Sequence, residues 1–357
     1  MFDDVVLDWF CLISSNGIGP KTFWALMRNY KTAKESLKHI STPFPRSEAQ
    51  KILKSMNCDI ILANEKAFPQ SLRRSCFCPP MLFCRGNKSI LSKRRIAIIG
   101  ARNASISGRS IARTMASKLS NEFAVISGLA KGIDTATHLG SLECLENRSA
   151  IAILPFGFDS IYPKENTALF EKLATKAVVL TEVPNGRHND QGMFHARNRI
   201  IALMAEAIIV IEAAAKSGTL STAKLALDFG CEVLVIPGSP ADPRNFGSNM
   251  LIKNGATLVQ NHADVVEAIG NCSVQATCKE QTTIQVDMQE QFSRDHSQCR
   301  DGPDKILSML SDIPISLDEI ALHTDVCMRD LLCIVSELEI SGKIVKYPTN
   351  EIALVRT

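Results

Sequence analysis

The stretch Arg94–Asp134, RRIAIIGARNASISGRSIARTMASKLSNEFAVISGLAKGID, holds two short apolar runs separated by a segment with helical spacing. The first run, 96–99, ends at Gly100 and is typical of a buried parallel strand. Apolar residues then recur at helical intervals over 107–121, and the second run, 123–126, leads into another glycine-containing turn. The stretch therefore predicts a β-α-β unit. Both strands open into turns that precede helices, where backbone N–H groups favour an anion.

The same stretch is rich in basic residues. Seven Lys and Arg side chains lie between Arg94 and Lys131, against one acidic residue, Glu122. Arg102 follows the strand-ending Gly100 by only two positions, so a phosphate-bearing partner is expected there. The dinucleotide pattern G-x-G-x-x-G and the nucleotide pattern G-x-x-x-x-G-K-[ST] are both absent. NAD, FAD and ATP are therefore disfavoured, no cofactor is expected, and a longer polyanion is the better candidate.

Strands and helices alternate over 94–270, which predicts an α/β fold built on an extended Rossmann-like, doubly wound, mainly parallel sheet. The predicted strands are 96–99, 123–126, 150–154, 177–181, 207–212, 232–236 and 257–259. The predicted helices are 107–121, 134–145, 167–175, 194–205, 219–229 and 262–269. Two shorter runs, 60–62 and 81–83, are expected to join the same sheet. Ligands of such a sheet should lie beyond the carboxyl ends of its strands.

Glycine turns, hydroxyls and basic side chains follow four of these predicted strands. The basic residues near the strand ends are Arg102, Lys131, Lys164, Arg197 and Arg199. Another turn, Ser217-Gly218-Thr219, enters a helix. The aromatic residues Phe156, Tyr162 and Phe194 are candidates for stacking on unpaired bases, although each is also typical of a packing residue. Because these segments are far apart in the sequence, their shared chemistry predicts one phosphate-binding rim.

Both ends of the chain differ in character from this central domain, which spans 58–270. Residues 1–57 predict a small helical module, in which a G-I-G-P turn resembles helix-hairpin-helix and SAM-like domains. Residues 271–301 lose periodicity and predict a linker. Residues 302–357 resemble a winged helix, with three helices and a hairpin. Acidic residues on its third helix favour contact with protein over a DNA groove.

The composition indicates a cytoplasmic protein. The 357 residues carry a net charge of +3, no apolar run reaches transmembrane length, and the acidic N-terminus is unlike a signal peptide. Twelve cysteines in that compartment are expected to be reduced. The cluster Cys76, Cys78 and Cys84 lacks zinc-finger spacing, so no metal is expected.

Assembled in order, these segments resemble the bacterial DNA-processing protein A (DprA/Smf) family. The motifs that carry the resemblance are Ile98–Arg102, Ser127–Asp134, Tyr162-Pro163, Arg197–Ile201, Ser217–Leu220, Thr222-Ala223 and Pro237-Gly238. The resemblance implies a SAM-like module, a Rossmann domain that binds single-stranded DNA, and a winged-helix tail. It also implies a homodimer formed through the Rossmann domain, protection of incoming single strands in natural transformation, and loading of the recombinase RecA.

The resemblance also implies which residues touch DNA. Arg102 corresponds to the arginine of the family's G-S-R turn, and Lys164 to a DNA-binding lysine. The full set of expected contacts is Gly100, Arg102, Ser127, Gly128, Lys131, Lys164, Phe194, Arg197, Asn198, Arg199, Ser217, Gly218 and Thr219. The chain departs from the family pattern where Ala101 replaces serine, Lys131 replaces arginine, His195-Ala196 replaces a proline-containing pair, and Pro155-Phe156 precedes Gly157.

Two other readings use the same features. A nucleotide phosphoribohydrolase would share the sheet and its phosphate turns, but it needs a glutamate near the position that Lys224 occupies. The remaining acid–base candidates are Asp134, His138, Glu182 and His195, in no recognisable catalytic order. A transcription regulator would instead use the winged helix, which the acidic third helix disfavours. We therefore expect a binding protein and not an enzyme.

Overall fold

The structure is a computed structural model that describes residues 2–144, 149–187 and 191–277, together with short pieces between 306 and 354. The chain forms two compact units, Met1–Lys279 and Glu280–Thr357. The first unit holds the helical module and the large sheet, and the second holds a small sheet.

Four helices form the N-terminal part of the first unit: α1 (Asp4–Ser14), α2 (Pro20–Tyr30), α3 (Ala33–Leu37) and α4 (Arg46–Met56). Asp3 caps α1 by accepting a hydrogen bond from the Val5 N–H, and Pro20 takes the first position of α2, where its missing N–H costs nothing. The rings of Phe10 and Phe83 lie 6.3 Å apart, so the helices pack against the sheet and share its apolar core.

Nine strands make the large sheet: β1 (Asp59–Leu62), β2 (Met81–Gly86), β3 (Arg95–Gly100), β4 (Ala124–Ser127), β5 (Ala150–Ile153), β6 (Val178–Thr181), β7 (Ala207–Ile211), β8 (Glu232–Val235) and β9 (Thr257–Leu258). Their order is β1-β2-β6-β5-β4-β3-β7-β8-β9. The seven strands from β6 to β9 are parallel, and β1 and β2 add an antiparallel edge. The predicted doubly wound, mainly parallel sheet is confirmed, including the attachment of β1 and β2.

Helices cover both faces of this sheet: α5 (Gln70–Arg73), α6 (Ile106–Leu119), α7 (Ile133–Glu143), α8 (Thr167–Lys176), α9 (Gln191–Met204), α10 (Gly218–Asp228), α11 (Phe246–Lys253) and α12 (His262–Thr277). Short 3-10 helices span Lys88–Ser92, Lys164–Asn166 and Pro243–Asn245. Apolar clusters on the two faces of β3 and β7 separate the layers, because alternate residues of each strand enter different clusters.

Three helices differ from the sequence prediction, and one of them is the short α5, which lies where only strands and turns were expected. Helix α11 was not predicted, because Gly247, Ser248 and Asn249 have low helix propensity. Its first turn is fixed instead by tertiary contact, since the N–H groups of Gly247 and Ser248 both reach the Ala213 carbonyl, at 2.7 and 3.2 Å. Helix α12 continues to Thr277, past the predicted end at 269, because a single Gly270 does not stop a helix. The first residues of the predicted linker 271–301 are therefore helical, and those after 277 lie outside the described residues.

The second unit contains β10 (Ile315–Ser316), β11 (Ile344–Lys346) and β12 (Glu351–Leu354), antiparallel in the order β10-β12-β11. Ile320, Leu331 and Val335 pack with Ile344 and Ile352 in its core. The paired β11 and β12 agree with the predicted hairpin of the winged helix. The hairpin turn, and most of the acidic third helix, fall outside the described residues.

Candidate nucleic-acid interface

The carboxyl ends of β3, β4 and β7 meet at one rim of the sheet. Gly100 ends β3, and any side chain there would collide with the carbonyl of Ile211 at the end of β7. The Ile133 N–H donates to the Ala101 carbonyl at 3.2 Å, so the turns after β3 and β4 touch. The Thr219 hydroxyl donates to the Gly100 carbonyl at 3.1 Å, which brings the start of α10 to the same place. These turns therefore form one continuous surface.

Arg102 is the exposed cation at the centre of this rim. It lies in the loop between β3 and α6, and its guanidinium carbon sits 4.8 Å from the centre of the Phe194 ring. Such a cation–π contact orients the side chain and leaves its N–H groups free for phosphate. Within the described part of the chain, no carboxylate forms an ion pair with Arg102.

Aromatic rings continue the surface away from Arg102. The Phe194 ring packs edge-on against Tyr162 and Phe156, with centroids 5.9 and 5.2 Å away. Tyr162 is 49% exposed, Phe194 is half-buried, and Phe156 is only 2% exposed. Tyr162 and Phe194 can therefore offer stacking faces to bases, whereas Phe156 supports them from below.

Lysines complete the surface. Lys164 is exposed two residues after Tyr162, and the neighbouring Glu165 pairs with Lys131 at 2.7 Å. Both partners of this ion pair are more than half exposed, so the pair adds little to stability. The buried amide of Asn166 donates to the Leu129 carbonyl at 2.9 Å. This hydrogen bond fixes the segment that carries Lys164 against the turn after β4. We call Arg102, Lys131, Tyr162, Lys164 and Phe194 the rim surface.

Arg197, one of the expected DNA contacts, lies inside the molecule. It is 5% exposed, and its guanidinium donates to the carbonyls of Gly128, at 2.6 Å, and Ile153. Gly128 is required here, because any side chain would collide with this guanidinium. Burial lowers the pKa of Arg197 to about 10, although the nearby Asp134 carboxylate opposes the shift. Arg197 therefore ties β4 and β5 to α9 and does not reach the surface.

Arg199 and Ser127 are also held by internal partners. Arg199 pairs with Glu182 at 2.6 Å, where the two side chains are 12% and 17% exposed. Burial raises the pKa of Glu182, and the Arg199 charge opposes that shift. The Ser127 hydroxyl is buried and donates to the Ile98 carbonyl at 2.7 Å. Asn198 accepts a hydrogen bond from Arg197 Nε at 3.1 Å, so it supports the same internal network.

Two of the protein's own carboxylates accept hydrogen bonds beside the first two helix starts, where the sequence predicts anion sites. At the start of α7, Asp134 accepts hydrogen bonds from the N–H groups of Gly128 and Ala130, at 3.1 and 3.2 Å. At the start of α6, Glu212 accepts from the Ser105 N–H at 2.8 Å and from the Ser105 hydroxyl. These carboxylates occupy three N–H groups of the expected phosphate turns, those of Gly128, Ala130 and Ser105. The sequence did not reveal that two carboxylates would fold back onto them.

The helix start at α10 differs from these two. Ser217 occupies the N-cap position but makes no capping hydrogen bond, and Gly218 is exposed with open space around it. The Ser217 hydroxyl oxygen is buried without a hydrogen-bond partner. Because Thr219 contacts Gly100, this open helix start adjoins the loop that carries Arg102. It can supply backbone N–H groups to a phosphate beside the rim surface.

Sequence reasoning missed Glu212, Glu165 and Asn166. Glu212 was assigned to the end of a strand, and its only signal is a charged residue directly after the apolar run Ala207–Ile211. Glu165 and Asn166 follow Lys164 without any pattern that marks them.

The described residues contain neither a group of three or more His, Cys, Asp or Glu placed to hold a metal ion, nor a helix of a length and apolarity that would cross a membrane. Among the acid–base candidates of the enzyme reading, Asp134 and His138 are buried, and Glu182 pairs with Arg199.

The fold and the rim surface define an α/β protein with exposed cations and aromatic rings along one edge of a Rossmann-like sheet. The sequence profile of the family described as DNA recombination-mediator protein A matches residues 59–270, and a profile for a DprA-like N-terminal HHH domain matches residues 3–52. The chain therefore belongs to the DNA recombination-mediator protein A (DprA/Smf) family.

Individual relatives agree with this assignment. The DNA processing protein DprA of Streptococcus pneumoniae is 37% identical over 202 residues, which are 57% of this chain and 71% of the relative. The solved structure of DprA from that organism matches 73% of this chain and 96% of its own, with a TM-score of 0.65 and 28% identity. A Helicobacter pylori DNA processing protein A structure, described for its single-stranded DNA binding mode, matches 60% of this chain and 98% of its own, with a TM-score of 0.54 and 25% identity.

Proposed function

We propose that this protein binds single-stranded DNA along the rim surface, without cleaving it. The observation that carries the proposal is the contiguity of Arg102, Phe194, Tyr162 and Lys164, in which two aromatic rings lie between exposed cations. Cations follow the sugar-phosphate backbone, and aromatic faces accept the unpaired bases that a duplex keeps stacked inside. The open start of α10 extends this surface by one further phosphate site. A duplex offers no free base to Tyr162 or Phe194, so binding should favour single strands.

The site residues follow from this arrangement. We propose Arg102, Lys131, Lys164, Phe194, Ser217, Gly218 and Thr219 as direct contacts, together with Tyr162. Gly100, Ser127, Gly128, Arg197, Asn198 and Arg199 would support the surface from within. The Streptococcus pneumoniae and Helicobacter pylori relatives, whose names and descriptions refer to DNA processing and to single-stranded DNA, support the same substrate class.

The test is fluorescence anisotropy of labelled single- and double-stranded oligonucleotides over a salt series. We expect Arg102→Ala to weaken single-strand binding by about tenfold, since a charged hydrogen bond contributes about 1.5 kcal/mol or more. It should also reduce the slope of log K against log salt by about 0.7. Lys118→Ala is the matched control, because Lys118 is exposed in the last turn of α6, about 20 Å from the rim. Equal effects of the two substitutions would contradict the proposal.

We also propose that the protein forms a homodimer through its Rossmann domain and delivers the bound strand to RecA during transformation or recombination. A candidate dimer surface lies on β9, the edge strand, and on α10 and α11, which pack against the neighbouring β8. Leu227, Met250 and Leu258 expose 55%, 51% and 46% of their area there, and Phe246 exposes 46%. Exposed apolar side chains beside an open strand edge are typical of a contact between copies.

The dimer is tested by light scattering after size-exclusion chromatography. Met250→Glu should give a monomer if this face joins two copies, whereas Val5→Glu, on the helical module, should leave the mass unchanged. A dimer that persists in the Met250 variant would place the interface elsewhere. RecA delivery is tested by measuring RecA filament formation on DNA that a single-strand-binding protein already covers.

A further inference from the structure

Glu212 holds an unusual position directly after β7. Its backbone adopts φ +55°, in the left-handed region that favours glycine, and its side chain is buried with 7% exposure. Glycine would adopt this backbone conformation without strain. A small apolar residue would avoid the cost of burying a carboxylate. A glutamate is therefore unexpected here unless its carboxylate makes a specific contact. The carboxylate must therefore do something at this place that other side chains cannot.

The carboxylate binds the start of α6. It accepts hydrogen bonds from the Ser105 N–H, at 2.8 Å, and from the Ser105 hydroxyl. The Ser105 hydroxyl oxygen in turn accepts from the Gly108 N–H at 2.8 Å and caps the helix. A Cβ atom at Gly108 would lie 2.6 Å from the Glu212 carboxyl carbon, so glycine at that position makes room for the carboxylate.

These contacts fix both ends of the loop that carries Arg102. At one end, Gly100 packs against the carbonyl of Ile211. At the other end, Ser105 is bound by Glu212, the next residue along the same strand end. The loop 101–104 is therefore held at both ends by the last residues of β7, although the two segments are more than 100 positions apart in the sequence.

We propose that Glu212 is a positioning residue for DNA binding, whose carboxylate takes the place of a phosphate at the start of α6 and holds the Arg102 loop in its binding conformation. This inference rests on the proposed function, since it assigns a role toward the strand that Arg102 contacts. A carboxylate at this helix start also directs an incoming phosphate outward, to the Arg102 side chain, because the backbone N–H of Ser105 is already occupied.

The direction in which one substitution changes DNA affinity distinguishes this role from a simple effect of charge. Glu212→Gln removes a negative charge close to a polyanion site, and charge alone would then strengthen DNA binding. Positioning predicts the opposite, because an amide donates as well as accepts and cannot take both Ser105 hydrogen bonds in the same way. We expect Glu212→Gln to weaken single-strand binding by about three- to tenfold.

Glu165→Gln is the matched control. It also removes one carboxylate beside the rim surface, but the Glu165 side chain is exposed and its ion-pair partner is Lys131. This variant should bind DNA more tightly, by up to about fivefold, because Lys131 is released. Both variants, with thermal melts to show that each is folded, are measured by anisotropy at matched salt.

A double-mutant cycle with Arg102→Ala completes the test. If Glu212 acts through Arg102, Glu212→Gln should change affinity by less than about 1.5-fold when Arg102 is already alanine. Equal losses in both backgrounds would mean that Glu212 supports the fold in general, and would overturn the inference. Ser105→Ala, which keeps the backbone N–H and removes the hydroxyl, should show the same non-additivity with a smaller loss.

The outcomes also separate the inference from the proposed function. If Arg102→Ala loses affinity and Glu212→Gln binds normally or more tightly, only the positioning role is overturned. If Arg102→Ala itself binds normally, the rim surface and the role of Glu212 both fail.

Discussion

Replacing Arg197 by methionine should lower the free energy of unfolding of the protein. It should leave the salt dependence of DNA binding unchanged. The guanidinium is buried and donates to the carbonyls of Gly128 and Ile153. Each carbonyl that loses its donor costs about 1–3 kcal/mol, which gives roughly 2–6 kcal/mol for the two. Removing the buried charge also removes its desolvation penalty, so we expect a net loss of about 2–4 kcal/mol.

The assay is a pair of measurements on the same variants. A loss of that size corresponds to a fall in Tm of roughly 4–16 °C, at about 2–4 °C per kcal/mol for a unit of this size. Arg102→Ala is the counterpart, since an exposed side chain should change stability by no more than about 0.5 kcal/mol. In the salt titration of DNA binding, Arg102→Ala should reduce the slope of log K against log salt. Folded Arg197→Met should keep the wild-type slope. A wild-type Tm together with a reduced slope for Arg197→Met would refute the assignment of Arg197 to the interior.

Three further substitutions test other parts of the site. Lys164→Glu should weaken single-strand binding by more than tenfold in low salt and less in high salt, since it replaces a phosphate-facing cation by an anion, and normal binding in anisotropy would remove Lys164 from the site. Glu165→Gln should increase the salt slope by about 0.7, because it frees Lys131 for a phosphate, and an unchanged slope would show that Lys131 makes no such contact. Burial lowers the pKa of His138 to about 3. Between about pH 6.5 and 3, the unfolded chain therefore binds a proton at His138 that the native protein does not bind. The free energy of unfolding should fall in this range, by up to about 1.4 kcal/mol for each pH unit of acidification. His138→Met should flatten this part of the stability profile in urea unfolding, and an unaltered profile would assign the acid sensitivity to other groups.

The sheet was predictable because its signals are local. Runs such as Ala207–Ile211 are apolar on every position, as both faces of a central strand are covered, and helices with regular spacing separate them. Helix α11 was not predictable from the sequence, because its start depends on hydrogen bonds to the distant Ala213 carbonyl. Local patterns report what a segment favours on its own, and they omit what a remote segment imposes on it.

The sequence predicts that the site lies at the carboxyl ends of the strands, but it does not predict which side chains are exposed there. The sequence places Arg102, Arg197 and Arg199 at strand ends or helix starts, and nothing in their local pattern separates an exposed guanidinium from a buried one. On α9, residues 197 and 199 point in directions about 200° apart, so they cannot serve the same surface. Arg197 and Arg199 are held inside by Gly128 and Glu182, which directly follow β4 and β6. The missing information is the pairing of side chains across the sheet.

Because carboxylates lie beside two of the helix starts, we expect the site to bind a polymer better than a single nucleotide. A Rossmann-type sheet that binds a dinucleotide leaves the N–H groups of its first helix free for the pyrophosphate. Here Glu212 and Asp134 accept hydrogen bonds from N–H groups in the turns before α6 and α7, which leaves fewer of them for a small phosphate ligand. What remains exposed is the rim surface together with the open start of α10, and each of these groups can bind one phosphate or one base weakly. Such a set of groups has little affinity for a mononucleotide, but its contacts add along a chain that spans them, so affinity should rise steeply with oligonucleotide length until the set is covered.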